Sequence, residues 1–280
     1  MAENWYGTMK KCMKDSFKTL SAIQWKSNIV TALKMSIEPK RFVPFFFIQS
    51  AIILLTLLLT GDTISGNIAF LDAGIMTADV LLPVIGMMMA FGVLMIVNVW
   101  ITGAMIYQAK SPKEYRESFR LAFGKLHHLI IAMFIVSLIS NLSSMVQYIG
   151  ALFVLLFTLM FLFVNQSIMI SGNSFLEALK NSSRTFWGKK IAVLSSFVVG
   201  MAVTFAIVGI SSIPLLGVSF MQYPFLLDGS TVAELETLTD TPLMYAASVI
   251  ILLGIAISTV FSIRFITDVY LQLKKKKWAF

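Results

Sequence analysis

Few side chains in this sequence are of types that do chemistry, and they are widely spaced. Arg264 and Asp268 lie four residues apart, on one helical face at the end of the last long apolar stretch. An ionisable residue inside a membrane is a functional site by default. The same pair also fits a clamp, in which Arg264 snorkels to the interface and Asp268 neutralises it. Asn98, Asn165 and Gln166, together with Gln49, set amides among apolar residues. Such amides either line a polar pathway or join helices by hydrogen bonds. His127 and His128 are adjacent, so on a helix they point about 100° apart and cannot share a metal in the i,i+4 manner. No carboxylate or cysteine near them completes a ligand set. A single cysteine, Cys12, excludes an internal disulfide and a thiolate metal cluster.

No Walker A sequence, HExxH, GxSxG with triad partners or aspartate-rich alcohol-phosphatidyltransferase box occurs. The 17 methionines are dispersed, as adaptable packing is. No catalytic residue, metal or cofactor is therefore expected.

The elements that hold these residues are set by the solvent the chain needs. Charged residues are 13% and hydrophobic residues 58%, with a mean hydropathy of +0.84. A soluble domain carries about a quarter charged residues, so lipid must solvate much of this chain. Spanning hydrocarbon takes about 20 apolar residues, and six stretches qualify, at about 42–60, 80–106, 127–147, 149–170, 191–220 and 243–266. Pro214 and Gly217 predict a kink or stop in the fifth. The two halves show no inverted repeat with paired broken helices.

Charge fixes the orientation. Segments 61–79 and 221–242 hold only acidic charges, whereas 1–41, 107–126, 171–190 and 267–280 together with Arg264 hold all 22 lysines and arginines. Basic residues mark the cytoplasmic side, so both termini are expected there. The net charge of +8 then belongs to a membrane surface, and no nucleic-acid partner is expected. Residues 1–41 have the wrong pattern for a cleavable signal peptide. The organisation reads as cytoplasmic amphipathic helices over 1–41, a six-helix membrane domain over 42–270, and a basic tail over 271–280.

Each cytoplasmic segment ahead of a span pair repeats a pattern of small, apolar, basic, any, small: Ala32-Leu33-Lys34-Met35-Ser36, Ser118-Phe119-Arg120-Leu121-Ala122 and Ala178-Leu179-Lys180-Asn181-Ser182. Ser111 to Glu114 and Ser174 to Glu177 read as capping boxes, with Pro112 at a first helical position. Tyr115, Phe119, Ala122, Phe123 and Leu126 form an apolar stripe, and Phe175, Leu179, Phe186 and Trp187 form its counterpart. Such helices lie in the interface with the stripe down. The fold class is thus all-α: six spans as three hairpins, each preceded by an amphipathic helix. Trp5, Met9, Cys12, Met13, Phe17 and Leu20 make a further apolar face, opposite Lys10, Lys11, Lys14 and Lys18. These lysines, with Lys274, Lys275, Lys276 and Lys277 beside Trp278, are candidate contacts for anionic lipid.

The segment Asn173 to Ser182, followed by Phe186-Trp187-Gly188-Lys189, resembles one shared by a set of prokaryotic six-span proteins. That set comprises the YciC-like proteins, the membrane domain fused to some glycerophosphodiester phosphodiesterases, and related archaeal families of unknown function. Lys113 to Leu129 and Ile266 to Tyr270 are similar to the corresponding segments there. The resemblance runs from about residue 20 onward. It implies a compact six-helix bundle with cytoplasmic linkers, and no catalytic residue to transfer.

Three functions are open. The leading one is a non-enzymatic module that binds a soluble cytoplasmic partner, a second copy of itself or anionic lipid through its basic face. The second is a transporter or channel component for a small or amphipathic solute, using Asn98, Asn165, Gln166, Arg264 and Asp268. A lipid-modifying enzyme ranks third, because acid, base and nucleophile candidates do not cluster.

Overall fold

The computed structural model describes residues 21, 23–60, 78–112, 114–145, 149–222 and 242–275. Every element among them is helical: α1 (Trp25–Ser36), α2 (Pro39–Thr60), α3 (Ala78–Lys110), α4 (Tyr115–Gly124), α5 (Leu126–Ser144), α6 (Gly150–Phe161), α7 (Val164–Ser171), α8 (Phe175–Gly188), α9 (Lys190–Gln222) and α10 (Pro242–Lys275). Six stretches are long and apolar enough to cross a membrane: Pro39–Thr56, Ile85–Lys110, Leu126–Ser144, Gly150–Ser171, Lys190–Val218 and Pro242–Lys274. Large apolar side chains such as Leu54, Phe134, Leu152, Phe205 and Ile210 are exposed along them, as lipid-solvated helices allow. The lysines at 10, 11, 14, 18, 276 and 277, Lys113, Trp278 and most of the two acidic loops lie outside the described residues.

Local structure departs from the sequence reading at three places. Of the kink or stop expected at Pro214, the stop does not occur: α9 continues through the proline to Gln222. Ser212 Oγ donates to Val208 O at 3.1 Å and to Gly209 O at 2.9 Å just upstream of the proline. α4 starts at Tyr115 with Glu114 as its N-cap and no side-chain cap bond, so Ser111 does not cap it and Pro112 precedes the helix. The last span continues to Lys275, so Lys274 and Lys275 extend its helix.

The third departure is in the fourth span, which is interrupted at Leu162 and Phe163, between α6 and α7. Neither glycine nor proline is present there. Instead Ser182 Oγ, from α8, donates to Met160 O at 2.7 Å and accepts from Phe163 N–H at 3.2 Å. A side chain inserted into the i→i−4 ladder is a known cause of a helix break.

The chain forms two compact units, one of residues 1–36, 99–203 and 260–280, the other of 37–98 and 204–259. The first has a core of Ile106, Ala122, Leu129, Ile168, Met169 and Ala178. Gly103 sits in it so closely that an added Cβ would lie 2.7 Å from Leu129 Cδ1. In the second unit, Gln49 Nε2 donates to Thr259 Oγ1 at 2.9 Å. There too, Gly254 leaves no room for a Cβ beside Ser211.

Candidate functional site

The polar groups of the first unit gather where α3, α7 and α10 end. The last four carbonyls of an α-helix have no partner within it, and that end carries partial negative charge. Each of these three helices has one such carbonyl met by a cation. Arg264 Nη1 donates to Ala109 O in the last turn of α3. Lys125 Nζ donates to Ile168 O of α7 at 2.9 Å, and Lys189 Nζ donates to Leu273 O of α10 at 2.5 Å. Burial, and secondarily the ammonium of Lys110, holds Lys125 below the ordinary lysine pKa. Gly172 leaves α7 at φ +77°, with Lys125 Nζ 3.4 Å from the place a Cβ would occupy. A side chain there would be strained by the backbone and would crowd the cation.

The three short helices dock beside these ends through the small residues of the repeated pattern. Ala32, Ser36, Ser118, Ala122, Ala178 and Ser182 are all buried, whereas the basic residue between each pair (Lys34, Arg120 or Lys180) is exposed. From α1, Asn28 pairs with Gln272 of α10, Nδ2 to Oε1 at 3.3 Å and Nε2 to Oδ1 at 2.8 Å. Trp25 also packs on Phe265, their ring centroids 6.3 Å apart. In α4, Ser118 Oγ accepts from Gln108 Nε2 of α3 at 2.9 Å, and Phe119 O accepts from Trp100 Nε1 at 2.8 Å. α8 is fixed by Ser182 at the break, and its first turn by Glu177 Oε2, which accepts from Ser174 N–H at 3.1 Å.

The faces that these helices bury are set by the small residues and not by the whole of each aromatic stripe. On α8 the buried residues are Ala178, Ser182 and Phe186, while Trp187 is 53% exposed with Lys190 Nζ 4.5 Å over its ring. On α4 they are Ser118 and Ala122, while Phe123 is 66% exposed. Adjacent residues point about 100° apart, so Phe186 and Trp187 cannot both face inward. The small residues let backbones approach closely, and that contact sets the rotation.

Of the candidate polar residues, Arg264 and Asp268 are brought together. Arg264 Nε donates to Asp268 Oδ2 at 2.8 Å, and the two side chains are 13% and 12% exposed. Both ends of Arg264 are therefore engaged, and Met35 Sδ lies 3.8 Å from Nη1. Gln166 is buried with Oε1 unpartnered among the described residues, and Asn165 lines a cavity between α5 and the break. Asn98, half-buried on α3, belongs to the second unit. Lys274 is exposed and donates to Ser171 Oγ at 2.9 Å, which also pairs with Tyr270 OH at 2.8 Å. His127 and His128 have ring centroids 3.9 Å apart, and no group of three metal-ligating side chains occurs among the described residues.

Lys125, Lys189, Gln108 and Gln272 escape the sequence reading as polar contacts, and so does the bonding of Ser182 at the break. For the lysines a signal existed: an aromatic residue, glycine and lysine recur at Phe123-Gly124-Lys125 and Trp187-Gly188-Lys189. Comparison of the chain with family models, with curated proteins and with solved structures finds no match. The likeness to the YciC-like set rests on the quoted segments alone.

Proposed function

We propose that the chain is a non-enzymatic scaffold of a prokaryotic cell membrane, with both ends cytoplasmic, that organises anionic lipid along a basic cytoplasmic face. The observation that carries this reading is the composition of the faces that α1, α4 and α8 leave open. Opposite the buried small residues, α8 exposes Leu176, Lys180, Arg184 and Trp187, which fall within about 80° of one another around the helix. α4 exposes Arg116, Arg120 and Phe123, and α1 exposes Lys26, Val30 and Lys34. Cations interleaved with large apolar side chains suit a headgroup layer, where the ammonium meets phosphate and the apolar group dips toward the chains. Lys190 stacked on Trp187 is the local form of that arrangement. On this reading the repeated motif and its three docked helices form three pseudo-equivalent hairpins, and the helix-end caps hold the basic face rigid.

Tryptophan fluorescence in nanodiscs tests the proposal, with Trp187→Phe isolating the signal of Trp187. Brominated anionic lipid should quench Trp187 more than brominated zwitterionic lipid, and salt should reduce the difference because exposed charges are screened. Equal quenching by both, at low salt, counts against lipid. Should a soluble protein or a second copy shield Trp187 instead, the same face serves a protein partner. A transporter remains the second reading, favoured by the break in the fourth span and the amides beside it.

A further inference from the structure

The break in the fourth span opens a cavity of about 170 Å³ with an apolar wall of Ala132, Val136, Phe161 and Val164 and two polar groups, Ser137 and Asn165. No charged side chain lines it. Ser137 and Met133 are exposed on α5, so the cavity is open to the surroundings of the span. Pockets that enclose drug-sized ligands measure about 300–1,000 Å³, so this one holds one end or segment of a longer molecule.

Two polar side chains that line it lack partners among the described residues. Neither Ser137 nor Asn165 makes a side-chain hydrogen bond to another described residue. Gln166, next along the chain and 5% exposed, has a buried Oε1 with no partner among them. In hydrocarbon no water satisfies such groups, and each left unmade costs free energy. An amide presents both donors and an acceptor, so its complement is a group that both accepts and donates. A hydroxyl does so; an ester or ether oxygen only accepts. Asn165 lies six residues inside Ser171, the end of the span, or about 9 Å at 1.5 Å per residue. At that depth a charged headgroup would be poorly solvated.

We infer that this cavity binds a lipid alcohol: a long acyl or isoprenoid chain carrying an uncharged hydroxyl, which hydrogen-bonds to Asn165 while its chain lies against the apolar wall. The site depends on the hairpin of α5 with α6 and α7 lying in a bilayer and not on the basic face, so the two proposals fail independently.

The test uses the full chain in nanodiscs of defined phospholipid, with three photoactivatable probes of equal chain length: a fatty alcohol, its methyl ether and a phosphatidylcholine. The alcohol should label residues 132–137 and 161–165 about fivefold more than the ether, the ratio expected of one net hydrogen bond. Unlabelled alcohol should compete. Asn165→Leu should abolish the preference for the alcohol. Ser137→Trp, at an exposed position that does not disturb packing, should block labelling by all three probes at this site. Equal labelling by alcohol, ether and phospholipid identifies ordinary surrounding lipid and overturns the inference. So does alcohol labelling that cannot be competed, which leaves water as the partner of Asn165. Persistence of the preference in Asn165→Leu overturns it as well.

Discussion

Replacing Arg264 with methionine is the sharpest test of the clamp at the end of the last span. The guanidinium donates a charge-assisted hydrogen bond to Asp268 and another to the Ala109 carbonyl. Charge-assisted bonds are worth about 1.5–3 kcal/mol and neutral ones about 1. Both side chains are largely buried, so the substitution also leaves the Asp268 carboxylate desolvated and unpaired. Together these put the loss at about 3–5 kcal/mol, the range seen when one member of a buried pair is removed. Removing both charges, as Arg264→Met with Asp268→Leu, leaves only Ala109 O without its donor and should cost about 1–2 kcal/mol. Stability would be read from reversible unfolding in mixed micelles titrated with SDS, followed by circular dichroism. The double variant must be more stable than the single one, by well over the about 0.5 kcal/mol within which distant sites add. If the double variant is as damaged as Arg264→Met, or Arg264→Met lies within about 0.5 kcal/mol of the parent, the pair is not a clamp.

Two further outcomes follow from close packing and from burial. A Cβ at Gly254 would collide with Oγ and Cβ of Ser211; Gly254→Ala should therefore destabilise by about 1–3 kcal/mol, and adding Ser211→Gly should recover most of it in the same titration. Burial places the pKa of Lys125 below the ordinary lysine value of 10.5, so between the two values the unfolded chain binds the extra proton and stability rises with pH. The stability of the parent relative to Lys125→Met should accordingly grow as pH is raised from neutral toward 10.5, and a gap that stays flat or shrinks contradicts the assignment.

The spans were legible because a bilayer imposes a length and a composition that no packing detail overrides. The motif of small residues flanking a base was legible too, and Ala32, Ser36, Ser118, Ala122, Ala178 and Ser182 do sit in packed contacts. What the stripes do not give is which of their residues pack on the bundle: Phe123 and Trp187 fall in the apolar pattern yet are exposed in the structure. The interruption at Leu162 and Phe163 left no trace in the sequence, because its cause is Ser182, some 19 residues away. The cation caps needed knowledge of which helix end each lysine reaches. Their recurrence after an aromatic residue and glycine shows that the pattern was written in the chain, though not its partner.

The pairing of Asn28 with Gln272 joins residues 244 apart in sequence. The seat for the first short helix is therefore made from the last span, and does not exist while the intervening helices are being inserted. During synthesis α1 must wait, its Asn28 face unoccupied, until α10 leaves the ribosome and enters the bilayer. A chain stopped ahead of α10 lacks Gln272, and with it the partner of Asn28.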